Sequence, residues 1–133
     1  MEINDIKIYI NKCNNYINNV ELYLESIYIY IKSNNAAIFA LYNNIQIYIK
    51  DIILYSDIIL KYIDIRLNSH LDKLDKFEDN FILKYVDKIG HDIELIAKYL
   101  SCIKQSYDKS LLKLLYEIYY DENNNIKCNY TIF

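Results

Sequence analysis

The sequence predicts an all-α protein, folded as an antiparallel up-down four-helix bundle of long helices in a single domain, 1–133. Apolar residues recur in steps of three and four along most of the chain, which is the period of one helix face. The chain contains one Gly and no Pro, too few for the tight turns of a β-domain. IKIYI, IYIYI and IQIYI alternate as half-buried strands do, but the helical period continues through all three. Helices are therefore favoured throughout.

The first predicted helix covers about residues 2–32. Its apolar seam repeats in alternating steps of three and four over four heptads, a pattern typical of coiled coils. The seam residues are Ile3, Ile6, Ile10, Cys13, Ile17, Val20, Leu24, Ile27 and Ile31. They predict the face that this helix buries in the bundle.

Two further stripes on the first helix suggest a protein interface. Tyr9, Tyr16, Tyr23 and Tyr30 repeat every seven residues beside the seam, and Ile8, Leu22 and Ile29 recur at heptad spacing on the far side. The tyrosines fit either packing at the edge of the core or contact with a partner. The far-side residues reflect either codon bias or a second molecule that covers this helix.

The second predicted helix covers about residues 36–67. Its polar residues, among them Asn43, Lys50 and Asp57, fall on one narrow line and leave the remaining circumference apolar. Such a helix is expected to pack on several sides, so we expect it to be the most enclosed of the four. Arg66 near its end suits the partial negative charge of a helix C-terminus.

The third and fourth helices are predicted over about residues 70–89 and 92–120, and residues 121–133 as a loop and tail. Gly90 is placed as a left-handed C-cap and Asp92 as the N-cap of the fourth helix. The fourth helix is expected to bury Ile93, Ile96, Leu100, Ile103, Tyr107, Leu111, Leu114 and Ile118. Because the breaks between helices are only two or three residues long, consecutive helices should be antiparallel neighbours.

Composition and net charge limit the kinds of function that we expect for this protein. The net charge is −3 with no clustered basic face, so we expect no nucleic-acid partner. No apolar stretch approaches the roughly 20 residues that span a bilayer, and the acidic start MEIND differs from a signal peptide. Three cysteines without a CxxC pair fit free thiols in a reducing compartment. We therefore expect a cytoplasmic protein, in its own or a host cell, without metal or cofactor.

Ile, Asn, Tyr and Lys make up about half of the chain. Their codons are AT-rich, whereas Gly, Pro, Ala, Arg and Trp need G or C. This bias indicates an AT-rich genome such as that of a large DNA virus, a phage, an endosymbiont or a parasite.

Arg66 and His70 are the candidate catalytic pair. Three residues separate them in RLNSH, and the pair resembles the Arg and His motif of HEPN ribonucleases, which are small four-helix proteins. The resemblance implies that both side chains face a dimer cleft, where they attack and stabilise a phosphodiester. Without the resemblance, Arg66 is a helix-end cation and His70 a loop or cap residue.

The layout of an apolar central helix wrapped by amphipathic helices is similar to viral Bcl-2-like proteins. That resemblance implies an apolar groove that binds an amphipathic helix of a partner. The leading hypothesis is nevertheless a non-enzymatic bundle that acts through protein–protein contact. We expect a homo-oligomer, a complex with another protein, or both, and a role as an accessory factor of a virus, phage or parasite.

Overall fold

The computed structural model describes residues 2–33, 36–68 and 76–125, with the backbone alone at 67–68, 76–77, 79 and 119–125. Within these ranges the chain forms four α-helices and no strand. They are α1 (Ile3–Ser26), α2 (Tyr28–Ser33), α3 (Ala36–Asn68) and α4 (Lys76–Asn125). The prediction of an all-α helical bundle is confirmed.

α3 and α4 share the largest contact among the described helices. They run antiparallel, because Tyr62 near the end of α3 packs on Phe81 near the start of α4, with ring centroids 5.1 Å apart. Earlier in α3, Tyr48 packs on Tyr99, with centroids 5.9 Å apart. These two helices form the frame against which α1 and α2 pack.

α1 and α2 run parallel to α4. Lys104 of α4 lies 4.8 Å above the ring of Tyr23 in α1, and Tyr107 lies 5.1 Å from Tyr30 in α2. Positions therefore rise together along the two segments. All nine seam residues predicted for the first helix are buried.

Isoleucine dominates the core, and each buried side chain of this size contributes about 1.5–3 kcal/mol. All four helices supply side chains with almost no exposed surface. These are Ile10, Leu24, Ile31, Ile45, Ile52, Ile59, Ile63, Ile82, Ile89, Ile96 and Ile103.

The predicted first helix, 2–32, is interrupted at Ile27. The backbone there has φ −115° and ψ 17°, outside the helical region. Ser26 Oγ donates a hydrogen bond of 2.6 Å to the carbonyl oxygen of Tyr23, which a continuous helix would offer to the N–H of Ile27. Such side-chain bonds compete with the helix ladder and bend helices. α2 resumes at once, since the N–H of Ile31 donates to the carbonyl of Ile27 at 3.1 Å.

The helices predicted over 70–89 and 92–120 form one continuous helix wherever they are described. The predictions of a C-cap at Gly90 and an N-cap at Asp92 are therefore wrong. A single interior glycine weakens a helix by only about 1 kcal/mol. Because Ile89 and Ile96 on either side of it are buried in the same core, packing outweighs that loss.

α3 is less enclosed than predicted. Ile47, Ile53, Leu54 and Ile65 are each more than half exposed on its outer flank. The predicted fourth helix would have been a separate neighbour, but it continues α4. Two neighbours, α1–α2 and α4, cover only part of the circumference of α3.

α4 is also longer than its neighbours. Its 50 residues span about 75 Å, whereas the 33 residues of α3 span about 50 Å. Ile103 is the last buried residue described on α4. The predicted burial of Leu114 is wrong, since 39% of its side chain is exposed, and Leu111 and Ile118 are only half-buried.

No helix in the described part of the chain combines the length and apolar character that a membrane span requires.

Replacing Gly90 with Ala tests the continuity of α4. A Cβ at Gly90 would lie 3.6 Å from the Tyr9 hydroxyl, an ordinary contact. We expect Gly90→Ala to raise the free energy of unfolding by about 0.5–1 kcal/mol, because alanine loses less backbone entropy in a helix. Urea unfolding followed by circular dichroism measures the change. Ala97→Gly, at an exposed position of α4, is the matched control and should lower stability by a similar amount. A destabilised Gly90→Ala variant would instead indicate a left-handed glycine.

Candidate functional site

The far-side stripe, which consists of Ile8 and Leu22 of α1 and Ile29 of α2, lies in solvent. The exposed fractions are 46% for Ile8, 64% for Leu22 and 84% for Ile29. Seam residues on the same segment, such as Leu24 and Ile31, are buried. The stripe is therefore apolar surface that the bundle itself does not cover.

The tyrosine row lies on the other side of the seam and serves the bundle. Tyr9, Tyr16, Tyr23 and Tyr30 are half-buried against the core. The Tyr30 hydroxyl shares a hydrogen bond of 2.5 Å with Ser106 Oγ of α4. The structure therefore separates the seven predicted interface residues into an intramolecular row and an exposed stripe.

Burial also raises the pKa of three tyrosines in this row. Desolvation, reinforced by Cys13, raises the pKa of Tyr9 to about 12. Desolvation raises the pKa of Tyr16 and of Tyr23 as well. All three phenols are neutral at physiological pH, as expected of tyrosines that pack with their rings inward.

An open groove of about 540 Å³ lies beside the break at Ile27, between α1–α2 and α3. Tyr28 packs on Tyr42 with ring centroids 5.6 Å apart, and Phe39 lies 6.1 Å from Tyr42. The lining residues are Glu21, Leu24, Glu25, Tyr28, Ile29, Tyr42 and Gln46. An aromatic surface with an acidic rim is suited to an amphipathic segment that carries cations.

Sequence reasoning missed this groove. It depends on the break at Ile27 and on the pairing of α2 with the start of α3, neither of which has a periodic signature. The one local signal of the break was Ser26, whose hydroxyl can donate a hydrogen bond to a carbonyl oxygen of the preceding turn.

A polar cluster lies between α3 and α4, where Asp92 is only 8% exposed. Desolvation raises the pKa of Asp92, the charge of Asp51 raises it further, and His91 partly offsets both effects. Lys88 extends over the rings of Tyr55 and Tyr85, at 5.3 and 5.7 Å from their centroids. Within the described residues, no group of three or more His, Cys, Asp or Glu side chains is arranged to hold a metal ion.

Arg66 is engaged near the end of α3. Its Nε lies 2.6 Å from Oε2 of Glu78 in α4, a residue with only 6% of its side chain exposed. The Tyr62 hydroxyl donates to the same oxygen at 2.8 Å. Arg66 therefore joins α3 to α4. His70 lies outside the described residues, so the Arg66–His70 ribonuclease hypothesis stays a prediction.

Two free cysteines are described, Cys13 and Cys102. Cys13 occupies the seam, where burial raises the pKa of its thiol, so it is a packing residue. Cys102 is exposed on α4. Cys128 lies outside the described residues.

A scan against protein-family models gives no match for this chain. Comparisons with curated proteins and with solved structures give no match either.

The buried carboxyl of Asp92 predicts a pH-dependent stability. A folded-state pKa above the ordinary value of 3.8 means that the folded protein binds the proton more tightly than the unfolded chain. Stability therefore falls as the pH rises from 3.8 through the folded-state pKa. We expect Asp92→Asn to be more stable than the natural protein at pH 7, and the advantage to vanish below pH 3.8. Thermal unfolding across this range measures it.

Asp57→Asn is the control for the Asp92 experiment. Asp57 is exposed and pairs with Lys61 at 2.9 Å, so its replacement should give no advantage at pH 7. Equal stability of the natural protein and Asp92→Asn at pH 7 would contradict the desolvation of Asp92.

The Arg66–Glu78 pair predicts a double-mutant result. Arg66→Met leaves the buried carboxylate without its cation, and we expect a loss of about 1–3 kcal/mol in the free energy of unfolding. Adding Glu78→Gln should recover part of that loss, because a neutral amide needs no cation. Lys61→Met, which removes an exposed ion pair, should change stability by less than about 0.5 kcal/mol. Equal losses of stability for Arg66→Met and Lys61→Met would show that the Arg66–Glu78 ion pair stabilises the fold no more than an exposed ion pair does.

Proposed function

We propose that this protein acts without catalysis, through protein–protein contact, and that it self-associates. The observation that carries the proposal is the exposed stripe on α1 and α2. Leu22 and Ile29 present 64% and 84% of their side chains to solvent. Both lie near the end of the bundle where the aromatic groove opens, and Ile29 lines that groove. Apolar side chains exposed to this degree are available for contact with a partner.

The aromatic groove supports the same proposal. Tyr28 and Tyr42 supply rings, which are enriched at the centres of interfaces. Glu21 and Glu25 at its rim favour a partner segment that carries Lys or Arg. The occupant that this chemistry suits is an amphipathic, cationic helix.

We further propose that the protein acts in the cytoplasm of its own or a host cell. The free thiols of Cys13 and Cys102 support a reducing compartment. A role as an accessory factor of an organism with an AT-rich genome is part of the same proposal and rests on composition.

Self-association is tested by size-exclusion chromatography with light scattering over a range of concentrations. We expect the mass to rise above the 16.0 kDa of one chain. Leu22→Gln/Ile29→Gln should weaken association at least tenfold, because each substitution removes apolar surface from the contact. Ile53→Gln/Leu54→Gln on α3 is the matched control, with similar apolar residues at 52% and 54% exposure.

The two double variants distinguish a specific contact from non-specific hydrophobic association. Equal weakening by both would show that exposed apolar residues associate without specificity. A constant mass of 16.0 kDa at every concentration would overturn self-association. Circular dichroism of each variant establishes that the helices remain formed.

A further inference from the structure

A pair of tyrosines between α3 and α4 shows how this protein accommodates a cationic side chain. The rings of Tyr55 and Tyr85 have centroids 5.8 Å apart and an interplanar angle of 45°. The Lys88 ammonium lies over both rings, 5.3 Å and 5.7 Å from their centroids. Desolvation raises the pKa of Tyr55, and the charges of Asp51 and Asp92 raise it further. Two rings, with two carboxylates nearby, therefore accommodate one side-chain cation.

The tyrosine pair in the aromatic groove has nearly the same geometry. The rings of Tyr28 and Tyr42 have centroids 5.6 Å apart and an interplanar angle of 58°. Desolvation raises the pKa of Tyr42, and Tyr28 and the charge of Glu21 raise it further. Glu25 lines the groove beside Glu21. The groove thus repeats the combination of two rings and two carboxylates that is found around Lys88.

The two sites differ in that the groove draws no cation from its own lining. Among the described residues that line it, none is Lys, Arg or His. Within the described part of the chain, neither Glu21 nor Glu25 forms an ion pair, whereas Asp57 pairs with Lys61 at 2.9 Å. Glu21 and Glu25 are four residues apart, so both project from the same flank of α1. The groove therefore has a net negative charge that a cation from another molecule can balance.

The groove is also accessible to a side chain of another molecule. Its volume of about 540 Å³ falls within the range of ligand sites on proteins, roughly 300–1,000 Å³. The Tyr28 side chain is 39% exposed, so its ring retains surface for contact. Leu24 and Ile29 add apolar lining next to the carboxylates. Such a surface suits a side chain with an apolar stem and a charged head.

A guanidinium group fits this combination better than an ammonium group. It is planar and weakly hydrated, so it stacks on aromatic rings, and its fork of N–H donors matches a carboxylate bidentately. The carboxylates of Glu21 and Glu25 and the amide oxygen of Gln46 are the acceptors in the lining. One arginine can therefore contact a ring and a carboxylate at the same time.

The composition of this chain indicates that the arginine comes from a different protein. Arg66 is the single arginine of the sequence, and its Nε lies 2.6 Å from Oε2 of the buried Glu78. A second copy could supply an arginine only by breaking that ion pair. The net charge of −3 also makes long-range electrostatics favour a basic partner over a second copy.

We propose that the aromatic groove binds an arginine side chain of a partner protein. The guanidinium group lies against the rings of Tyr28 and Tyr42, and its N–H groups donate to the carboxylates of Glu21 and Glu25. The inference rests on the proposed action through protein–protein contact and adds the chemistry of a partner. Self-association through Leu22 and Ile29 does not require it.

A first experiment titrates the full chain with arginine that is acetylated and amidated at its ends. Carbon–proton NMR spectra of the tyrosine rings should show saturable shifts at Tyr28 and Tyr42, with a dissociation constant in the millimolar range. Tyr55 and Tyr85 should not shift, because Lys88 already lies over them. No shift at Tyr28 or Tyr42 would overturn the proposal.

Two further probes test the charge and the shape of the ligand. The corresponding citrulline derivative is nearly isosteric with arginine but neutral, and it should bind at least tenfold more weakly. The lysine derivative should bind several-fold more weakly, because an ammonium group is a compact, strongly hydrated charge. Equal affinity for the citrulline probe would overturn the cation site. Equal affinity for the lysine probe would overturn the choice of arginine.

Matched variants test the position of the site. Glu21→Gln/Glu25→Gln should weaken binding of the arginine probe at least fivefold. Glu94→Gln/Glu117→Gln is the control, because it removes the same charge from two exposed positions of α4, and it should leave the affinity unchanged. Equal weakening by both double variants would show attraction by net charge alone and would overturn the site.

A third variant tests the aromatic part of the site. Tyr28→Leu keeps an apolar side chain at a partly exposed position but removes the ring, so it should also weaken binding at least fivefold. Circular dichroism of every variant checks that the helices remain formed. Undiminished binding to a folded Tyr28→Leu variant would overturn the contact with the ring.

The outcomes distinguish this inference from the proposed function. If the chain self-associates through Leu22 and Ile29 but the arginine probe does not bind, self-association stands and the arginine site is wrong. If the probe binds with the expected dependence on Glu21 and Glu25 while the chain stays monomeric at every concentration, the arginine site stands and self-association fails.

Discussion

The packing of isoleucine side chains between α3 and α4 is the interaction on which the rest of the structure depends. Ile45, Ile52, Ile59 and Ile63 meet a matching series on α4 that runs from Ile82 to Ile103. Branching at Cβ leaves each of these side chains one strongly preferred rotamer in a helix. Two long, stiff rows can interdigitate only if both helices stay straight and in register. This explains why α4 passes through Gly90 without a break, because the packing outweighs the roughly 1 kcal/mol that a glycine costs inside a helix.

Tyrosines line the edges of this contact, with ring bodies inward and hydroxyls toward polar partners. The same contact also contains two buried acidic residues, Glu78 and Asp92. Glu78 receives a cation from Arg66 and a hydroxyl from Tyr62. Asp92 is instead desolvated by burial and lies near Asp51, and both effects disfavour its charged form. Glu78 therefore joins α3 to α4, whereas the charged form of Asp92 destabilises the same contact at neutral pH.

The exposed apolar surface of the molecule follows in part from helices of unequal length. α1 and α2 together, α3 and α4 form three rods, and α4 is the longest by about 25 Å. Where the other rods end, the face that α4 uses for packing has no neighbour among the described helices. The outer flank of α3 and the far side of α1 are open because they point away from the core that the three rods share.

Periodicity and the scarcity of turn residues were enough to predict a helical protein and the buried seam from Ile3 to Ile31, because both depend on local spacing along a helix. The exposure of Ile8, Leu22 and Ile29 also agrees with their predicted position opposite the seam. The spacing of apolar residues does not show where a helix is interrupted and where it continues. The sequence predicted a helix terminus at Gly90 and a continuous helix through Ser26. Packing keeps α4 continuous at Gly90, and a side-chain hydrogen bond of Ser26 accompanies the break at Ile27. The groove beside Tyr28 and Tyr42, the pairing of Arg66 with Glu78 and the burial of Asp92 join residues far apart in the chain. These features were decided by the way the helices pack, because only packing brings such residues together and determines how much water they keep.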